Sequence, residues 1–273
     1  MTQIAQNAPT YADVVDLDRY PIHDLDSERG QALVSACREE LAATGVCNLA
    51  GFITPEAVAE MVTLAGELRD KAWASDRTHT IYFEPIDESV PADHPRAHQV
   101  RSAKKGIAFD YIPADAPLRR LYASDDLTTF IATVLDKPVL YRSADPLDAL
   151  QVTTFAPGDE LGWHFDRSEF SMTVMYQQAD KGGDFEYAPG LRSDDDENYD
   201  GVQAVLQGDR SGLKVLPSAP GALAFFRGEY ALHQVTPVEG STPRINSVLT
   251  YGERPDMKLN DLTSELFYGR TSA

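Results

Sequence analysis

The sequence predicts a mainly β protein with flanking α-helices, built on a double-stranded β-helix (jelly-roll, cupin-like) core. Three observations predict it. The second half is a succession of short strand-like segments separated by Gly and Pro turns. The first half instead carries apolar residues at helical spacing. Finally, 273 residues with no internal repeat and no separating linker suit one elaborated domain. The expected division is a flexible tail over 1–12 and a single domain over 13–273. Within it, 13–137 is mainly helical support plus a loop, 138–254 is the core with an insertion at 190–212, and 255–273 ends in a helix.

Taken in order, Ser27 caps a helix running to about Thr44, with Leu33, Val34, Cys37 and Leu41 on one face and Gly45 as its stop. Thr54-Pro55-Glu56 starts a second, whose Val58, Val62, Ala65 and Leu68 repeat at helical spacing and are expected in the core. The stretch 79–111, with Pro91, Pro95 and three histidines, reads as an irregular functional loop. Its His79, His94 and His98 lack a tight ligand spacing and read as solvated. A third helix follows Ser124 through Leu135, and Lys137-Pro138 hands over to a strand at 139–142. Strands are then expected at 151–155, ending in Pro157-Gly158, around His164, and at 170–176, 182–187, 220–228, 233–235 and 244–251. A short helix at 202–206 sits in the acidic insertion. The last helix, 259–268, has Leu259, Leu262 and Leu266 on one side, able to pack on the insertion or on a second subunit of a homodimer.

His164-Phe165-Asp166 followed by His233 carries the chemistry. On a strand, residues two apart share a face, so His164 and Asp166 can reach one metal while Phe165 turns away. Two imidazoles and one carboxylate cap one face of an Fe(II) ion and leave the opposite face open for cosubstrate and oxygen. Zinc accepts the same ligands, but it gives no reason for Arg244. The bland reading is a hydrogen-bonded His–Asp pair and a satisfied core histidine.

With these residues in place, the chain resembles the Fe(II)/2-oxoglutarate-dependent oxygenases. H-x-D, GG-x-F at Gly182, P-G-x-L-x-x-F at Pro220, H-x-V at His233 and Arg244 stand in the order of their core, over roughly the second half of the chain. The resemblance implies that His164, Asp166 and His233 bind Fe(2+), that 2-oxoglutarate and O2 are cosubstrates, and that Arg244 pairs with the distal carboxylate of 2-oxoglutarate. A guanidinium suits that role because its planar fork meets a carboxylate with two parallel hydrogen bonds. Tyr176 matches a tyrosine that supports the same carboxylate in prolyl-hydroxylase-like members, its plain alternative being an inner-face sheet residue. Gln151 also occupies a matching position, although this chain has Phe155 where many members have tyrosine. Asn246 shares a strand face with Arg244.

A closer likeness is to the free-amino-acid hydroxylases and radical halogenases of the lysine-halogenase type. It is carried by 190–201, by 227–237 and by Arg244-Ile245-Asn246. Halogenating members replace the metal-bound carboxylate by glycine; this chain keeps Asp166, so the resemblance implies hydroxylation. It also implies that Arg101 binds a substrate carboxylate, against the alternative of a surface ion pair. Lysine-specific relatives favour an acidic residue near position 167. Arg167 reverses that and favours an acidic or neutral substrate, unless it merely pairs with Asp159 or Glu169. In relatives, insertions such as 190–212 cover the active-site mouth and exclude water.

A formal net charge of -19 argues against nucleic-acid and anionic-membrane partners. No early apolar run resembles a signal peptide, and no stretch would span a bilayer, so a cytoplasmic location is expected. Cys37 and Cys47, the only cysteines, read as buried free thiols. The expected activity is hydroxylation of a free amino acid or amino-acid-like metabolite, giving succinate and CO2. Desaturation, cyclisation or attack on a protein residue are the enzymatic alternatives, and a cupin-like metal-binding sensor is the non-enzymatic one.

Overall fold

The computed structural model describes residues 10–259 and 261–273, with the side chain of Leu262 outside the description. Ser27 accepts the Gly30 amide and starts α1 (Glu28–Thr44); Gly45, at φ 82°, ends it by donating its N–H to Leu41. After β1 (Val46–Leu49), Thr54 caps α2 (Pro55–Glu67). In α2 the buried stripe is Ala57, Met61 and Ala65, while Val58, Val62 and Leu68 pack only at the edge of the core. Ala65 is in the core as expected, while the rest of the buried stripe is turned toward Ala57 and Met61.

β2 (Trp73–Thr80) and β3 (Gln99–Ile107) come next, antiparallel along their whole length from Trp73 opposite Gly106 to Thr80 opposite Gln99. They correct the expectation of an irregular segment over 79–111, of which only the connection between them is loop. Both strands are polar on alternate positions and on their neighbours, so the period-2 apolar signal that would have revealed them is missing. Helices α3 (Pro117–Tyr122) and α4 (Asp125–Val134) follow, the latter capped by Ser124. The expected strand at 139–142 shrinks to β4 (Tyr141–Arg142).

The core strands are β5 (Leu150–Phe155), β6 (Glu160–His164), β7 (Ser171–Gln177), β8 (Lys181–Gly182) and β9 (Phe185–Ala188). After α5 (Tyr199–Leu206) the chain adds β10 (Lys214–Val215), β11 (Leu223–Phe226), β12 (Leu232–Val235), β13 (Val238–Glu239), β14 (Arg244–Leu249), β15 (Tyr251–Gly252) and finally α6 (Asp261–Tyr268). One curled sheet runs β1-β11-β7-β14-β5-β3-β6-β12-β9-β10, with β2 on β3. β3 pairs with β5 through Lys105–Ile107 and with β6 through Ser102 and Ala103, so it joins the two halves that face each other in a jelly roll.

Strand parity separates the faces of these halves. Met172, Val174 and Tyr176 of β7 and Ile245 and Leu249 of β14 face α1, α2 and α4 in the main apolar core. On the opposite face Gln151, Thr153, Arg244 and Asn246 point between the sheets and are all buried. Phe155, Phe185, Phe226 and Val235 fill one end of that space. Outside the smaller half, Trp163, Phe165 and Leu232 pack beneath Val202 and Val205 of α5.

Residues 1–9 of the expected tail lie outside the described residues. Tyr11 is 1% exposed and its hydroxyl donates to Asp126, at the head of α4. Helix α6 packs on β2 and β3 within the same chain, with Tyr268 buried. Cys37 and Cys47 are buried and free. No helix among the described residues is long and apolar enough to cross a membrane.

Candidate active site

His164 is the last residue of β6 and His233 lies directly opposite it on β12, their rings 4.1 Å apart. His164 and His233 are 3% and 2% exposed. Each ring is fixed the same way: Nδ1 contacts a backbone carbonyl, Gly162 at 2.7 Å and Ala231 at 2.8 Å. A carbonyl can only accept, so Nδ1 carries the proton and Nε2 presents a lone pair. Burial, and then the neighbouring His233, push the His164 pKa down to about 4, which keeps that ring neutral.

Asp166 follows the end of β6. Its N–H donates to Gly228, and Ser171 donates its hydroxyl to Oδ2, leaving Oδ1 at 3.5 Å from both Nε2 atoms. Gly228 makes room for the carboxylate, since a Cβ there would collide with Oδ2. The three ligand atoms lie within 4.8 Å of one another. Two lone pairs and an anion turned toward one point repel one another, and a cation between them removes the conflict.

Arg244, 4% exposed, projects into the same interior beside Asn246, to whose Oδ1 it donates, with its guanidinium over the Phe155 ring at 5.4 Å. No carboxylate pairs with it among the described residues, its Nε is buried without a partner, and burial lowers its pKa to about 10. A buried cation without a counter-ion is costly, so the site is built for an anion. Gln151 shares this face and accepts from Thr153 at 3.0 Å.

Three expectations meet a different structure. Tyr176 does not face the interior: it follows the parity of Met172 and Val174 into the helix-side core, where its hydroxyl donates to Ser247 at 2.8 Å. Tyr176→Phe is therefore expected to cost about 1 kcal/mol of stability and to leave affinity for 2-oxoglutarate unchanged, read by thermal unfolding and titration. Arg101 lies on the outer face of β3, in ion pairs with Asp76 (2.9 Å) and Glu160 (3.1 Å), so the surface alternative describes it. His79 is not a solvated loop residue but part of the wall, its Nε2 2.7 Å from Ser102 Oγ and its ring stacked 4.2 Å from Phe83, which lies edge-on to His164.

Arg167 is exposed and lines a cavity of about 210 Å³ that has Asp166 in its wall. The ion pairs that were its alternative do not form: Asp159 caps the Ala156 amide and Glu169 pairs with Lys137.

Lys104 and Asp148 were not singled out from sequence. Lys104 shares the β3 face of Ser102, over the Phe267 ring at 4.7 Å; burial lowers its pKa, while Asp148 and Asp166 pull it up and Arg244 opposes them. Asp148 accepts from Tyr268 (2.6 Å) and Thr250 (3.1 Å), yet burial raises its pKa from 3.8 to about 6. With the folded pKa above the unfolded one, the native state binds more protons between those values, and stability falls as pH rises through that window. Asp148→Asn removes this slope. Its Tm relative to the natural chain is expected to be higher at about pH 7.5 than at about pH 4.5; a difference independent of pH would assign the slope to another group. Only recognition of β3 as a strand could have revealed Lys104, by its parity with the polar interior.

The Halogenase D family model matches residues 30–268. Similar solved structures include the epimerase SnoN in complex with Fe3+, alpha ketoglutarate and nogalamycin RO, at 15% identity and TM-score 0.55, covering 81% of this chain and 84% of that one. AviO1 from Streptomyces viridochromogenes Tue57 is 19% identical with TM-score 0.54, covering 83% of this chain and 97% of its own. A 2OG-Fe(II) oxygenase family oxidoreductase from Burkholderia pseudomallei is 15% identical with TM-score 0.50, covering 81% and 91%. At these identities the likeness is one of fold. No curated protein matches the sequence.

Proposed function

The chain belongs to the Halogenase D family, and from that membership we propose that it is an Fe(II)- and 2-oxoglutarate-dependent hydroxylase of a free amino acid or amino-acid-like small metabolite. The observation that carries this reading is the pairing, in one interior, of three donors that could hold a metal with a buried arginine that forms no ion pair among the described residues. Zinc chemistry would use the donors and leave Arg244 unexplained. The residues fit both groups: His164, Asp166 and His233 would hold the iron, and Arg244 with Asn246 would hold the distal carboxylate of 2-oxoglutarate. When bound, iron and 2-oxoglutarate supply the oxidising power needed to attack an unactivated C–H bond, with succinate and carbon dioxide as coproducts.

The chain's own residues do the positioning. The two backbone carbonyls on Nδ1 keep both imidazoles in the metal-binding tautomer, and Ser171 keeps Oδ1 of Asp166 turned inward. With iron bound, Asp166 would be a third protein ligand where a halide would otherwise have room, which favours hydroxylation over halogenation within this family. Phe83, His79 and Phe267 form an aromatic wall that limits water near His164. Above Asp166, Arg192 crosses the mouth: it lies 4.3 Å over Phe165, donates to the Glu229 carbonyl at 2.6 Å and pairs with Glu197 at 3.1 Å. This fits the lid role expected for the insertion.

The test is anaerobic reconstitution with Fe(II) and 2-oxoglutarate, then exposure to air with a panel of free amino acids, following succinate and product mass together. Succinate coupled to the gain of one oxygen by one amino acid is the expected result. Succinate with loss of two hydrogens would replace hydroxylation by desaturation or cyclisation. Iron binding with no succinate for any amino acid would sink the metabolite reading.

A further inference from the structure

The cavity over Asp166 holds more charge than its ion pairs use. Of its three arginines, Arg96 is neutralised by Glu84, with both Nε and Nη2 on the same carboxylate oxygen at 3.2 and 3.1 Å. Arg192 is neutralised by Glu197. Arg167 has neither an ion pair nor a hydrogen bond among the described residues. Of the carboxylates, Glu229 is half-buried and likewise has no ion pair, and burial raises its pKa. The Tyr82 hydroxyl, in the same wall, is shut off from solvent without a hydrogen-bond partner. One cation, one anion and one orphaned hydroxyl thus share a space of about 210 Å³, which suits one end of a small ligand rather than a whole drug-sized molecule.

We propose that this cavity is the subsite that reads the substrate's head group: Arg167 and the Tyr82 hydroxyl take its carboxylate, and Glu229 takes its ammonium. The substrate class is then a free α-amino acid with both ends uncapped, its side chain directed past Asp166 to the metal. A guanidinium and a phenol hydroxyl both donate to a carboxylate, and a carboxylate accepts from an ammonium, so a zwitterion satisfies all three groups at once. An amide or N-acetyl derivative leaves one of them desolvated and unpaired, which is the strongest source of discrimination a polar pocket has. The proposal rests on the oxygenase reading only for the direction of the side chain.

The test is calorimetric titration of the intact protein under nitrogen, metal-free and loaded with Fe(II) and 2-oxoglutarate, with the twenty common amino acids and with the carboxamide and N-acetyl form of each binder. At least one free amino acid is expected to bind, and each capped form to bind about tenfold more weakly or worse. Arg167→Gln should erase the penalty for the carboxamide only, Glu229→Gln that for the N-acetyl form only, and Tyr82→Phe should weaken the free acid with folding retained. Equal binding of free and capped forms, or penalties untouched by the variants, overturns the subsite. So does the absence of any amino-acid binding. The visible absorption of the Fe(II)–2-oxoglutarate chelate reports separately on the oxygenase reading: if the chelate fails to form while the metal-free protein discriminates capped ends, that reading falls and the subsite stands.

Discussion

His233→Ala is expected to remove the increase in Tm that Fe(II) gives the natural chain and to lower succinate formation by more than about a hundredfold. Loss of a group that only orients a metal ligand costs 10- to 100-fold in metal affinity or activity as a rule of thumb, and loss of the ligand costs more. In the natural chain, Fe(II) at about a hundred times its Kd should add about 2.7 kcal/mol to stability by mass action. In the variant, His164 and Asp166 leave only two ligands. The packing of the imidazole between Phe185 (5.3 Å) and Phe226 (5.0 Å) is also lost, so the metal-free variant unfolds at a lower temperature. The decisive readout is therefore the increment caused by the metal, measured anaerobically, not the absolute Tm. An undiminished increment would place the metal elsewhere.

Arg244→Met separates stability from binding because its two effects have opposite signs. Arg244 is a buried cation with no paired carboxylate among the described residues and an unsatisfied Nε. Replacing it by an apolar chain of similar length should stabilise the ligand-free protein by about 1–4 kcal/mol, as replacement of unfavourably buried charge does. Binding of 2-oxoglutarate should weaken by about 2–5 kcal/mol, the cost of truncating one side of a desolvated charge pair. Thermal unfolding without ligand and a 2-oxoglutarate titration on the metal-loaded protein check the two halves. A variant that is less stable and binds 2-oxoglutarate normally would show that Arg244 is a structural cation.

Part of the candidate triad was legible because two-residue spacing is local: His164 and Asp166 stand two apart with Phe165 turned to α5, although Asp166 lies just past the end of β6 and is held there by Gly228 and Ser171. Arg244 and Asn246 were legible for the same reason. The helix caps at Ser27, Thr54 and Ser124 also follow from neighbouring residues, since a hydroxyl needs only the amide three positions on. What failed did so where the partner is distant. Tyr176 sits on a strand as expected, but which face of β7 looks inward depends on the helices, α2 among them, that cover the other. The resemblance implies a substrate contact for Arg101, and nothing in its own segment reveals the partners Asp76 and Glu160 that it has instead.

By itself the sequence determined the strand-rich core, the two-residue spacing of His164 and Asp166 and the shared strand face of Arg244 and Asn246, because each depends on spacing within one segment. Only the tertiary structure decided which polar residues share an enclosure. β3 joins both halves of the sheet and carries Lys104 inward, Ser171 and Gly228 converge on Asp166 from separate strands and loops, and Arg167, Tyr82 and Glu229 meet across one mouth. Those pairings are long-range, and the free energy that selects them comes from burying the apolar faces of whole sheets rather than from any residue in the site.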